Sequence, residues 1–324
     1  MKKIILALLL PVLTVAFAKA AEKEHKREIS KEFSVNTSPN LEINNKYGNI
    51  RIIEGKENKI SFKIEIIGKG KTEQLAKEYA ETVSIDFSQN GNKVSAETKL
   101  QSLNCNNCGR SIHYTVIAPK STIMDLENKY GNIYLDDVVT PLDVELKYGD
   151  LHAGTLADTD LDIKYGKATI KSCTKLDLDS KYSGLTIDRV ETLKVDSKYD
   201  NLDIGTVSDL NITTGYTDVK IKKLNRRFVS NDLKYCKLNI SEVATNFSEI
   251  KIDAAYSGLN VGLTKNHNFK AVLHTRYGNI KANNITFNNV TLKKEDAIVA
   301  TAGSSSNPSA LVEISASYGD IVFK

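Results

Sequence analysis

Four cysteines and five histidines are the residues of this 324-residue chain best suited to redox, nucleophilic or metal chemistry, and their spacing limits what they can do. Cys105-Asn106-Asn107-Cys108 is a close pair. Two thiols so placed can close a local disulfide that pins a loop, act as a thioredoxin-like couple, or supply half of a structural zinc site. The redox couple needs a helix N-terminus to lower a thiol pKa, whereas strand-like segments flank Cys105 and Cys108 on both sides. Zinc needs two further ligands, and no second close pair exists. The flanks therefore favour a local disulfide, with Cys173 a small core residue and Cys236 a turn residue. His25, His113, His152, His267 and His274 share no spacing that would put two on one metal or one beside a nucleophile. No catalytic residue, cofactor site or metal site is assigned.

The acids are more regular. Glu127, Glu145, Asp162, Asp179, Asp196, Asp232 and Asp253 each stand three residues before a tyrosine, and Lys129, Lys147, Lys164, Lys181, Lys198 and Lys234 each stand one before. On strands both sets face outward. A cationic column beside an anionic one is expected to form a solvated network, each acid finding a lysine on its own or the next coil. A calcium ladder or a sugar-binding acid row is the functional alternative. The lysines argue against calcium, which takes six to eight oxygens.

What positions these columns is a repeat. A Lys-Tyr-Gly-Asn/Asp-apolar signature recurs at Tyr47, Tyr130, Tyr148, Tyr165, Tyr182, Tyr199, Tyr216, Tyr235, Tyr256, Tyr277 and Tyr318. The step is 17 residues from Tyr148 to Tyr216 and widens to 19 and then 21, and the last interval of 41 leaves room for one unmarked unit. A fixed step of this size marks a solenoid. The sixth and fourth residues before the tyrosines are usually apolar, as in Leu176/Leu178 and Leu193/Val195, and the third and fifth after are apolar in nearly every unit, as in Leu185/Ile187 and Leu202/Ile204. Period two signals strands, so each unit reads as two short strands with corners. A unit this short cannot bury its own apolar face, and no connection holds a crossover helix, so like strands must stack on the next coil.

The fold predicted is all-β: a single-stranded parallel β-solenoid of coils of about 17 to 21 residues, roughly 50 Å long. By parity the tyrosines point inward with Leu and Val, so Tyr130, Tyr148, Tyr165, Tyr182, Tyr199, Tyr216, Tyr235, Tyr256 and Tyr277 are expected to stack along one edge of the core as a structural ladder. A ligand surface made from the same column is the minor alternative. The glycines after the tyrosines, with the Asn or Asp that follows, are expected to take the left-handed turn.

At the start, Lys2 and Lys3 precede an apolar run from Ile4 to Ala18, and Ala18-Lys19-Ala20 fits a cleavage site. Residues 1–20 read as a secretory signal peptide and the mature chain as starting at Ala21. Residues 21–32 read as a disordered leader. Residues 33–120 break the repeat after the Tyr47 unit, carry helical spacing over Lys71–Thr82, and read as an N-terminal cap that covers the open first coil. Residues 121–324 are the solenoid repeats. The formal charge of +4 comes from 44 basic against 40 acidic residues, so nothing favours a nucleic-acid partner. After the leader no stretch suits a transmembrane helix.

The Lys46-Tyr47-Gly48-Asn49-Ile50 unit, the insertion, Tyr114-Thr115-Val116-Ile117-Ala118-Pro119, and Asn128-Lys129-Tyr130-Gly131-Asn132-Ile133 with its echoes resemble one known family. It is the family of bacterial envelope β-solenoids named "putative adhesin", which includes the head GIN domain. The resemblance covers roughly residues 33–324 and implies a non-enzymatic exported protein of the periplasm, outer surface or surrounding medium. Its partner would be an envelope or surface polymer, glycan or protein. The alternative is a polysaccharide-active enzyme, a glycoside hydrolase or lyase on a parallel β-helix, since such enzymes gather acids on one exposed face.

Overall fold

The structure, a computed structural model, describes residues 22–324 except residue 57, so the expected signal peptide and cleavage site lie outside the described residues. The apolar columns fix the register. Leu176 lies beside Leu193, which lies beside Leu210, and Ile187, Ile204, Ile221 and Ile240 follow one another in the same way. All are fully buried, in one continuous core running the length of the molecule. Every shared column aligns when the chain advances one coil, so parallel in-register pairing buries the same residue type on every rung. The strands join in one open sheet of 24, wound as a solenoid.

The coils differ from the expected two short strands. Lys167–Lys181, Gly184–Lys198, Asn201–Gly215 and Asp218–Lys234 each run as one long strand from one tyrosine to the next. Pairing continues through the corner because the corner residues Cys173, Val190, Val207 and Leu224 are themselves in register and buried.

Three further expectations are corrected at the ends and turns. The leader is not disordered: Lys23–Ser34 is a strand antiparallel to Lys59–Gly70. Its alternating charges meet opposite ones across the pair, Glu24 with Lys69 at 2.7 Å, Glu32 with Lys59 at 2.6 Å and Lys26 with Glu65 at 3.4 Å. That complement lies far along the chain, where a local pattern search cannot see it. As an outer strand it also guards the sheet edge with charge. The strand pairs with the insertion, which extends both faces of the Tyr47 coil through Lys93–Leu100 and Gly109–Pro119. Helix Glu73–Glu81, capped by the Thr72 hydroxyl accepting from the Leu75 N–H at 3.2 Å, lies on this end. It sits so close that a Cβ at Gly68 would be 2.1 Å from the Ala76 carbonyl oxygen.

At the other end there is no unmarked coil. Phe287–Lys293 and Ala297–Ala302 form a hairpin, and the second strand runs antiparallel against Phe269–Arg276. The chain then returns so that Leu311–Ser317 lies between Glu249–Ala255 and Phe269–Arg276, paired in parallel with both. The last coil in sequence is thus the penultimate one in space.

The third correction concerns the turn. The glycines do not take the left-handed conformation; the tyrosines do, with φ between 52° and 63° at all eleven repeat positions. The glycines answer a different need. A Cβ at Gly149 would lie 2.0 Å from the Gly131 carbonyl oxygen, so the glycine-bearing turns approach too closely for a side chain, whereas Ser183, Asp200, Thr217, Cys236 and Ser257 fill the same slot on other coils.

Candidate functional site: the tyrosine ladder and its flanking columns

Each strand ends on the residue before its tyrosine, a lysine on most coils, and the left-handed residue that follows reverses the side-chain direction. Parity counted through the tyrosine therefore fails. The rings stand outside the core, between 41% and 66% exposed. They stack in one unbroken row from Tyr47 through Tyr256, then Tyr318, then Tyr277, with neighbouring centroids 4.7 to 5.2 Å apart and planes within 20° of parallel. The expected stacking is present, and the expected burial is wrong for Tyr130, Tyr148, Tyr165, Tyr182, Tyr199, Tyr216, Tyr235, Tyr256 and Tyr277 alike. Each left-handed residue costs roughly 1–2 kcal/mol. Two stacked neighbours offset that, at about 0.5–1.5 kcal/mol per pair. The backbone stays paired across the turn, the Tyr182 N–H donating to the Lys198 carbonyl at 3.1 Å. Stacking within the row covers most of the ring faces, and the hydroxyls and remaining ring edges face solvent.

The lysine column divides between two roles. Lys164 and Lys234 pair with Asp162 and Asp232, at 2.9 and 2.8 Å, and Lys147 pairs with Glu145. Lys129, Lys181 and Lys198 instead lie over the rings of Tyr130, Tyr182 and Tyr199, 5.1 to 5.6 Å from the centroids, as Arg276 does over Tyr277 at 5.2 Å. The expected acid-lysine network is thus only partial.

A second acid column, five residues before the tyrosines, is not among the columns expected from the sequence. Glu42, Asp125, Asp143, Asp160 and Asp177 are successive in register beside Glu127, Glu145, Asp162 and Asp179. Counting one more outward position upstream of each tyrosine would have found it. Glu42, Asp125, Asp143 and Asp160 line an open groove of about 560 Å³ together with Asp158, Lys93, Lys175 and Thr159. Burial pushes Asp125 and Asp143 above the usual carboxylate range, and the neighbouring Asp143 and Asp160, respectively, push the same way. Among the described residues no cluster of three or more His, Cys, Asp or Glu is arranged to hold a metal ion.

Behind the ladder the corner is polar. Asn128 Nδ2 donates to the Gly48 and Gly131 carbonyls at 2.9 and 2.8 Å, and Asn45 Nδ2 to the Ile112 carbonyl at 3.1 Å. Further along, buried Asp200 fills a slot that other coils give to glycine. It accepts from the Ser180 hydroxyl at 2.7 Å and the Ser183 N–H at 2.6 Å, and burial raises its pKa.

The remaining candidates are scattered. Cys105 and Cys108 are bonded to each other in the loop before Gly109–Pro119. Cys173 and Cys236 are buried and free, and burial pushes both thiols up. His267 is buried, its Nδ1 accepting from the Thr264 N–H at 3.0 Å, and His152 stacks on Tyr134 at 5.2 Å.

Fold and surface together define a parallel β-solenoid with a solvent-facing aromatic ladder. Residues 39–323 match the family described as Toastrack DUF4097, and the chain belongs to that family. Among solved structures, a putative cell adhesion protein from Clostridium sporogenes is similar at 15% identity, covering 93% of this chain and 99% of that one, with a TM-score of 0.22. A putative adhesin from Bacteroides fragilis is similar at 13% identity over 70% and 95%, with a TM-score of 0.33. A putative lipid binding protein from Parabacteroides distasonis is similar at 8% identity over 70% and 97%, with a TM-score of 0.38. No curated protein matches the chain.

Proposed function

We propose that this is a non-enzymatic exported protein that serves as an adhesin or scaffold in the periplasm, on the outer surface or outside the cell, binding an envelope or surface polymer along its repetitive faces. The observation that carries the reading is the unbroken exposed ladder, whose rungs repeat every 4.7 to 5.2 Å. An evenly spaced row of phenol hydroxyls and ring edges, set on a rigid continuous core, offers a repeating ligand the same contact on each coil. Many weak identical contacts on one rigid support add up through effective concentration. A secretory leader at residues 1–20 and the Cys105–Cys108 bond both suit an oxidising compartment.

The test is a binding screen of the purified chain against envelope glycans and surface proteins, with product release followed in parallel. Binding without turnover, weakened when Tyr182 and Tyr199 are both changed to serine, is the expected result. One observation favours the enzymatic alternative: Asp125 and Asp143, both raised, lie on adjacent rungs of the acid groove. Such a spacing, about 4.8 Å between strands, approaches the separation of about 5–5.5 Å in a retaining glycosidase. Release of sugar that stops with Asp143→Asn would replace the adhesin reading.

A further inference from the structure

The second residue after each tyrosine forms a column on the opposite side of the ladder. It runs Lys167, Gly184, Asn201, Asp218 and Lys237 in register. Gly184 interrupts the long side chains of this stretch, as Gly258 does one rung past Lys237. A Cβ at Gly184 would meet the Asn201 carbonyl oxygen at 3.5 Å and Lys167 Cγ at 3.8 Å, ordinary contacts, and its backbone is not left-handed. Gly131, Gly149 and Gly166, by contrast, each face a carbonyl oxygen at about 2 Å, so a side chain there would force the backbone to shift. Neither packing nor backbone geometry requires glycine at 184.

What the missing side chain does is open a notch in a column of long polar residues. A groove of about 430 Å³ lies there, walled by Lys167 and Lys220, floored by Gly184 and Thr186, and flanked by Asn201 and Asp203. Its size falls within the usual range for small-ligand sites, about 300–1,000 Å³. Buried Leu185 and Leu202 hold the floor rigid beneath it. Two ammonium groups, Lys167 and Lys220, balance two carboxylates, Asp203 and Asp218, so the lining has hydrogen-bonding power without net charge. An anion would meet both carboxylates and a cation both ammonium groups. A ligand with many hydroxyls, each able to donate and accept, satisfies all four.

We propose that the groove over Gly184 is a binding subsite for a short neutral oligosaccharide, an inference that rests on the surface-binding reading above and names its ligand class. The lining spans four coils, and their three steps of about 4.8 Å give the groove a length of roughly 15 Å, room for about three sugar rings. The glycan would lie along the rod beside the edges of Tyr182 and Tyr199.

The probes are cellotriose, chitotriose and maltotriose as neutral trisaccharides and trigalacturonate as the acidic one, titrated into the full chain by calorimetry. At least one neutral trisaccharide should bind. Gly184→Leu should fill the notch and weaken it by about tenfold or more, a loss of about 1.4 kcal/mol, at an unchanged melting temperature. Gly258→Leu, at an equally open position on a distant coil where nothing lies within 4 Å of a Cβ, should leave binding intact. If Gly184→Leu fails to fold, Asn201→Ala must weaken binding instead. Neutral binding that ignores both substitutions overturns the subsite and leaves the surface-binding reading standing. Trigalacturonate binding more tightly than every neutral sugar overturns the neutral class. A chain that binds none of the four overturns the proposal outright, and if it also binds no envelope polymer in the broader screen, the surface-binding reading falls with it.

Discussion

Truncating a ring in the middle of the ladder separates a left-handed surface tyrosine from a core one. Tyr182 is 45% exposed and stacks on Tyr165 at 5.2 Å and Tyr199 at 5.0 Å. Tyr182→Ala removes two stacked pairs and leaves a gap open to water rather than a sealed cavity, so it should destabilise by about 1–3 kcal/mol. Aromatic-to-alanine changes in cores cost about 3–5 kcal/mol. The comparison with Tyr182→Gly is sharper. Its φ of 53° strains any residue with a Cβ, while glycine adopts it freely. Against that, glycine loses more chain entropy on folding, by about 0.5–1 kcal/mol. The strain outweighs the entropy at roughly 1–2 kcal/mol, so Tyr182→Gly should be the more stable of the two, by about 0.5–1 kcal/mol. On an ordinary strand position alanine would be favoured. Urea unfolding followed by circular dichroism gives both differences, provided the slope with denaturant is the same in all variants. A glycine variant no more stable than the alanine one refutes the left-handed account of the ladder.

Gly149→Ala, whose Cβ would meet the Gly131 carbonyl at 2.0 Å, should destabilise by about 1–3 kcal/mol in the same assay, whereas Gly184→Ala should be close to neutral. Asp143→Asn should raise the melting temperature at pH 7. The native carboxyl is held above its ordinary value by burial, then by Asp160 and Glu145, so ionising it opposes folding. A raised folded pKa means stability is fullest below the unfolded value near 3.9 and is lost as pH rises through the folded one. The advantage of the Asp143→Asn variant should therefore vanish by about pH 4, and a pH-independent difference would show that ionisation is not its cause. Millimolar calcium should leave the melting temperature unchanged, because the acid columns are interleaved with lysine rather than built as a cage. A rise of many degrees would make the carboxylates ligands.

Much of the architecture was legible in the residues themselves. A constant step with apolar positions at fixed offsets determines pairing, since a one-residue slip would turn Leu176, Leu178 and their equivalents out into water. The core columns and the helix under Thr72 follow from that local logic. Tertiary structure alone decided three things. The direction of the tyrosine rings depends on φ at a single residue, and period two says nothing about a residue just past a strand's end. The pairing of Lys23–Ser34 depends on a charge complement found only on Lys59–Gly70. The place of the last coil was open because Glu249–Ala255, Phe269–Arg276 and Leu311–Ser317 carry the same alternating pattern, which fixes register but not the order along the stack. The hairpin of residues 287–302 settles that order by occupying the outer edge of Phe269–Arg276, leaving the chain's end to fill the gap inside. The sugar-sized notch at Gly184 was equally hidden, because its glycine, one place past the slot of the turn glycines, carries no sequence signal of its purpose, and only the distance to its neighbours shows that nothing there requires one.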